Sequence, residues 1–314
     1  MVAMMQSIVL LLVGFVLLIK GADFLVEGSS SVARALRIPS MIVGLTIVAM
    51  GTSLPELAVS VTASVAGNNA LAVSNVIGSN LFNLMFVCGA CALFAPLIVQ
   101  KDTLKKEIPV SVLCAVLLFV LGISGMEIGR TDGVILLLLL VWMVRSALKA
   151  HAASAEAEDP SGEYKIYPAW KCALYIVGGA VAIKFGGDFV VDGASAIAVK
   201  AGLSQNLIGL TIVAMGTSLP EFVTSVVAAR KNEVDMALGN VIGSNIFNIL
   251  LILGVAAAIS PVTFIMENII DIIILIIMST VVWIFAWTSK KINRKEGIIM
   301  LLVYVVYMVY ICIR

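Results

Sequence analysis

The chain has 314 residues, 61% of them hydrophobic and 12% charged, with a net charge of +1 and a mean hydropathy of +1.12. A soluble domain carries about 25% charged residues, so a water-soluble globular protein is excluded. The near-neutral balance gives no reason to expect a nucleic acid or other polyanionic partner.

Apolar stretches long enough to cross a bilayer recur along the whole chain, which predicts an all-α integral membrane protein. Taken between charge clusters, the expected spans are 7–28, 40–66, 71–99, 107–126, 132–148, 170–199, 205–229, 235–259, 266–288 and 297–313. The first run, Ser7 to Val26, lacks a basic leading segment and a cleavage site, so it reads as a retained helix. Between spans five and six lies the one sizeable polar stretch, "KAHAASAEAEDPSGEYKIYP", Lys149 to Pro168. It divides the chain into a first half, 1–148, a linker, 149–169, and a second half, 170–314. The single histidine, His151, falls in this linker and reads as a solvated loop residue. The five cysteines, Cys88, Cys91, Cys114, Cys172 and Cys312, sit in apolar context and read as small helix residues.

Fifteen Lys and Arg residues fall at the loops that follow odd-numbered spans, against three at the others and the C-terminal tail. That bias predicts a multi-pass protein of the cell membrane with both termini extracytoplasmic and the linker cytoplasmic.

Two segments occur twice at an offset of 165 residues. "GLTIVAMGTSLPE" runs from Gly44 to Glu56 and again from Gly209 to Glu221. "NVIGSNLFN", Asn75 to Asn83, returns as "NVIGSNIFN", Asn240 to Asn248. Asp23 with Asp188, and Glu27 with Asp192, keep the same offset. A shared spacing means duplication, and an odd number of spans per half means that the halves enter the membrane from opposite faces. Inverted repeats with helices interrupted at the midplane are the architecture of secondary transporters.

The chemistry of the repeat points to a cation. Pro55 and Pro220 have no N–H to offer Gly51 and Gly216, so each helix should break there and free carbonyl groups. Glu56 and Glu221 lie mid-span, where an ionised carboxylate costs about 2.5–3.5 kcal/mol. Spans two, three, seven and eight hold no Lys or Arg to pair with them. Thr52 shares a helix face with Glu56, and Ser79 with Asn83; Thr217 with Glu221 and Ser244 with Asn248 are the repeat partners. These hard oxygen donors suit Ca²⁺ or Na⁺ and argue against zinc or copper. One copy alone would fit a simple kink with a protonated glutamate. Two copies, each with a Gly-Ser-Asn segment at fixed spacing, favour a site. Asp23, Glu27, Asp188 and Asp192 stand near span ends, where interfacial snorkelling or pairing with Arg34 or Lys200 competes with a role in guiding cations.

The paired "GTSLPE" and "NVIGSN" segments resemble the alpha-repeats of the cation/Ca²⁺ exchanger superfamily, and within it the prokaryotic Na⁺/Ca²⁺ exchangers. The resemblance covers essentially all ten spans. It implies a core of spans two, three, seven and eight, with spans one and six sliding across it. It implies that Glu56 and Glu221 ligate Ca²⁺ with the carbonyls of Thr52 and Thr217. Na⁺ sites would add Ser53, Ser218, Ser79, Ser244 and the carbonyls of Ala49 and Ala214, with Asn83 and Asn248 completing the set. That pattern moves the carbonyl ligands a residue or two from Gly51 and Gly216. K⁺-dependent relatives carry Asp where this chain has Asn248, so K⁺ independence is implied; some prokaryotic exchangers also have an acid there. No cofactor is expected beyond the transported ions, and a monomer should suffice.

The expected function is thus electrogenic exchange of Na⁺ for Ca²⁺ by alternating access. Exchange of Ca²⁺ for H⁺ on the same fold is the nearest alternative. A channel is disfavoured because pore rings usually come from rotational symmetry. An intramembrane enzyme is disfavoured because no His or Lys lies in the core spans to activate a serine.

Overall fold

The structure is a computed structural model that describes the backbone of residues 2–67, 69–152, 166–202, 212 and 214–313. The start of the second "GLTIVAMGTSLPE" copy and most of the linker, His151's side chain included, lie outside the described residues.

Almost all of the described chain is helical, because an apolar environment leaves backbone groups no partner except one another. Helix α1 spans Val2–Ala35. The second expected span is two helices, α2 (Ser40–Thr52) and α3 (Leu54–Val65), bent by 49°. Then come α4 (Leu71–Phe94), α5 (Thr103–Gly125) and α6 (Arg130–Ala152). The second half follows with α7 (Ala169–Lys200), a short α8 (Ala214–Gly216), α9 (Leu219–Arg230) and α10 (Val234–Ile259). Helices α11 (Met266–Ser289) and α12 (Arg294–Ile313) end it. Among the described residues seven helices are long and apolar enough to cross a bilayer, and the bent pair adds an eighth.

Burial separates the helices into two classes. The most apolar windows of α4 and α10 are 83% and 78% buried, whereas those of the other five long helices are between 22% and 39% buried. The core is therefore built on α4 and α10, and the remaining long helices turn much of their apolar surface outward, where lipid can cover it. Glycines bring α10 against α2: a Cβ on Gly239 or Gly243 would stand 2.5 Å from the carbonyl oxygen of Met41 or Leu45. Without side chains there, backbones approach closely enough for dispersion to hold helices that no hydrophobic effect drives together in lipid.

Helices α1 and α7 pack as one antiparallel pair along a seam of small residues seven apart. Ser7, Gly14, Gly21 and Gly28 on α1 face Gly193, Gly186, Gly179 and Cys172 on α7. A Cβ on Gly14 would lie 2.8 Å from the Gly186 carbonyl oxygen, and one on Gly21 2.8 Å from that of Gly179.

Two departures from a purely helical reading join the halves. Strand β1 (Leu97–Ile98) pairs antiparallel with β4 (Lys291–Ile292), and β2 (Glu127–Ile128) with β3 (Val262–Thr263). Residues leaving a helix end are extended, and each finds its partner on the opposite half. Helix α1 also runs on to Ala35, beyond the expected limit at residue 28. Its polar end is held by ion pairs: Arg34 meets Glu233, and Asp23 meets Lys231 at 3.2 Å. Glu27 accepts a hydrogen bond from the Tyr167 hydroxyl, and Asp188 pairs with Lys184 on its own helix. For Asp23 the partner is Lys231, brought alongside by the loop between α9 and α10, which the spacing along its own helix does not predict.

Candidate functional site: a buried oxygen cage between the two halves

The site forms where the two prolines interrupt their helices. The break falls at Ser53 (φ −82°, ψ 8°) and at Ser218 (φ −94°, ψ 5°), both in the sparsely used bridge region. Gly51 and Gly216, where the proline argument put the distortion, remain helical. The reason is local. Pro55 and Pro220 sit in the first turn of a new helix, where a missing N–H leaves no bond unmade. The chain therefore breaks two residues before each proline and restarts its helix one residue before it.

That restart places Glu56 and Glu221 in the first turns of α3 and α9. The positive ends of both helix dipoles thus face the two carboxylates. The C-terminal end of α2, with its carbonyl groups, arrives at the same point. Of these carbonyls, that of Ala49 already accepts from the Ser53 N–H at 3.0 Å and from Thr52 Oγ1 at 3.2 Å.

Each half completes the other's site. Ser218 donates to Glu56 Oε1 at 2.9 Å, and Ser53 donates to Glu221 Oε1 at 2.8 Å. Ser218 Oγ also lies 3.0 Å from Ser79 Oγ. Thr52 and Ser244 face the Glu221 carboxylate as well. Both glutamates are at 0% exposure, and Thr52, Ser53, Ser79, Ser218 and Ser244 are buried around them. Thr217 is half-buried in the turn before Ser218, and Ala214 opens α8.

Asn83 and Asn248 stand one step further into the core, each in a π-turn of its helix, Phe82–Val87 and Asn248–Ile252. Such turns are rare and concentrate at functional sites. Asn248 donates to Asn80 Oδ1 at 2.9 Å, and the two halves lock through Asn80 and Asn245, each donating to the other's carbonyl at 3.2 Å.

Several of these buried oxygens have no hydrogen-bond partner: Glu56 Oε2, Glu221 Oε2, Asn83 Oδ1 and Asn248 Oδ1. Leaving such atoms unsatisfied in a low-dielectric core is costly. The two glutamates are each met by a serine of the opposite half, and the sequence places no basic side chain on these spans. Hard oxygen donors with a double negative charge fit a hard cation. Among the described residues no three or more His, Cys, Asp or Glu side chains are grouped so as to hold a metal ion, so hydroxyl, carboxamide and carbonyl oxygens would have to make up the rest of a coordination shell around the two carboxylates.

A buried cluster of oxygen donors shared by two similar halves of a helical membrane protein is the kind of site an ion transporter needs. Comparison with known proteins narrows it. The family model for the sodium/calcium exchanger protein matches residues 6–148 and 171–313, and the chain belongs to this family. It is 30% identical to the sodium/calcium exchanger MaX1 of Methanosarcina acetivorans, covering 96% of this chain and 97% of that one. It is 38% identical to the membrane protein MJ0091 of Methanocaldococcus jannaschii, over 94% of each chain. Among solved structures it is similar to the sodium-calcium exchanger NCX_Mj soaked with Na⁺ and Sr²⁺, with a TM-score of 0.86 and 34% identity over 98% of this chain and 99% of that one.

The sequence argument missed two members of the site. Asn75 and Asn240 open the "NVIGSN" segments, yet proximity to Glu56 and Glu221 depends on how α4 and α10 pack. The signal available was their place in both copies of the repeat.

Proposed function

We propose that the chain is a secondary active antiporter that exchanges Na⁺ for Ca²⁺ by alternating access. Its ten spans form two inverted five-helix repeats, 1–148 and 170–314, joined by the cytoplasmic linker 149–169, with both termini extracytoplasmic in the cell membrane. The observation that carries this reading is the reciprocal pair of contacts, Ser218 to Glu56 and Ser53 to Glu221. Each carboxylate is completed by a hydroxyl from the other half, so a bound ion belongs to both halves and senses their relative position.

Glu56 and Glu221 bind Ca²⁺ with the carbonyls of Thr52 and Thr217. Na⁺ takes the hydroxyls of Ser53, Ser218, Ser79 and Ser244 and the carbonyls of Ala49 and Ala214, with Asn83 and Asn248 at the remaining position. Two carboxylates balance one Ca²⁺ or two Na⁺, so a third Na⁺ makes each cycle move net charge. A neutral Asn248, where K⁺-dependent relatives have an acid, leaves the cage without the extra charge for K⁺. The family likeness and the absence of basic residues on the core spans support this assignment.

The test is Ca²⁺ uptake into proteoliposomes driven by a Na⁺ gradient at clamped pH, with current recorded. Uptake with net current is expected, unchanged by removing K⁺. Uptake that ignores Na⁺ and follows a pH gradient would assign the coupling to protons instead.

A further inference from the structure

Asn75 and Asn240 make the same contacts in the two halves. Asn240 Nδ2 lies 3.3 Å from the Glu221 carbonyl oxygen and 2.9 Å from Ser225 Oγ, donating to both. Asn75 Nδ2 does the same to the Glu56 carbonyl at 3.4 Å and to Ser60 Oγ at 3.0 Å. Ser60 and Ser225 are one helical turn beyond the glutamates. Each amide therefore grips the rung of backbone from which a site carboxylate projects. Its effect is to set the height and rotation of α3 against α4, and of α9 against α10.

Asn240 also reaches across the interface. Its Oδ1 lies 3.1 Å from Thr52 Oγ1, sharing that hydroxyl's one hydrogen with the Ala49 carbonyl, so one fully buried carboxamide joins Thr52 of the first half to the Glu221 rung of the second. The carboxamide alone has the donors and the acceptor to do both. A leucine of similar size would leave the Glu221 carbonyl, Ser225 and Thr52 with one partner fewer each.

We propose that Asn75 and Asn240 are positioning residues of the ion site, and that Asn240 couples the placement of Thr52 to that of Glu221 across the interface between the halves. This rests on the exchange reading above. Neither residue touches the ion; both act through the groups that do. Groups that orient metal ligands in this way typically cost 10–100-fold in metal affinity when removed.

Purified full-length protein in detergent, free of Na⁺, is titrated with Ca²⁺ and separately with Sr²⁺ by calorimetry. Asn240→Ala is expected to weaken Ca²⁺ binding about tenfold and to change the Ca²⁺/Sr²⁺ preference, which loss of packing alone would not do. Thr52→Val should weaken binding in the parent protein but add nothing in the Asn240→Ala background. If Asn240→Ala does not fold, Asn75→Ala and Asn240→Ser take its place, with the same shift in preference expected. Parental affinity and preference in a folded variant overturn the positioning role. So do losses from Thr52→Val and Asn240→Ala that simply add, which would break the proposed coupling. A parent protein that binds no Ca²⁺ overturns the exchange reading and this inference with it.

Discussion

The ion cage and the polar end of α1 follow opposite rules within one duplicated chain. In the cage, contacts recur at the repeat offset: Ser53 to Glu221 and Ser218 to Glu56, Asn75 to Ser60 and Asn240 to Ser225, Asn80 with Asn245. At the end of α1, Arg34 meets Glu233 and Lys231 meets Asp23. The repeat positions of Arg34, Lys231 and Glu233 are Val199, Ala66 and Asn68, which carry no charge. Asp188, the counterpart of Asp23, pairs with Lys184 on its own helix, as Asp23 also does with Lys20 at 3.9 Å, and Asp23 in addition meets Lys231 of the other half. Mirrored contacts persist where the two halves meet in the buried core, and the copies have diverged where Arg34, Asp23, Lys231 and Glu233 meet at the end of α1.

The most damaging way to probe the mirrored region is to neutralise one carboxylate. Glu56→Gln and Glu221→Gln should each abolish Ca²⁺ transport in proteoliposomes while membrane insertion and gel-filtration behaviour stay intact. Transport surviving in one variant but not the other would show that the two copies no longer share one task.

Removing a single reciprocal hydroxyl is milder. A hydrogen bond to a charged group contributes about 1.5–3 kcal/mol, so Ser53→Ala and Ser218→Ala should each raise the Ca²⁺ concentration for half-maximal uptake by about tenfold or more. Equal effects would sharpen the symmetry, and a large inequality would break it.

The α1–α7 seam extends the mirrored region to the outer helices. Gly21→Val would press a branched side chain onto the Gly179 carbonyl, and overpacking of this kind costs about 1–3 kcal/mol. Thermal melting of the detergent-solubilised protein should drop by several degrees, with a similar drop for Gly186→Val.

The smallest effect belongs to the unmatched ion pairs. The Lys231–Asp23 pair, with side chains 36% and 31% exposed, contributes up to about 1 kcal/mol. Lys231→Ala should therefore change the ratio of Ca²⁺ affinities measured from the two faces of the membrane by no more than about fivefold. Exchanging the two charges, Lys231→Asp with Asp23→Lys, should restore it. High salt should shrink the same ratio in the unmodified protein.

Much of this was legible without coordinates. The ten apolar runs, the repeat at an offset of 165 and the pair of glutamates without basic partners all follow from residue type and spacing. The position of each break was misread by two residues, because a proline in the first turn of a new helix is read from sequence as a proline inside an old one. The partners of Arg34 and Asp23 were misread too, since they come from a loop about 200 residues away. Asn75 and Asn240 were overlooked, although they lie in a motif that was recognised.

The chain alone determined that it crosses a membrane, that it is a duplication, and that two acidic groups lie on apolar spans without a basic residue. Hydropathy, periodicity and charge are properties of residues and their order, so no packing is needed to find them. Which groups from the two halves meet was decided by the fold alone. Hydrogen bonds across the interface span less than 4 Å but, around the glutamates, join residues 139 to 188 apart, and the close approach of backbones at glycine helps bring them within reach.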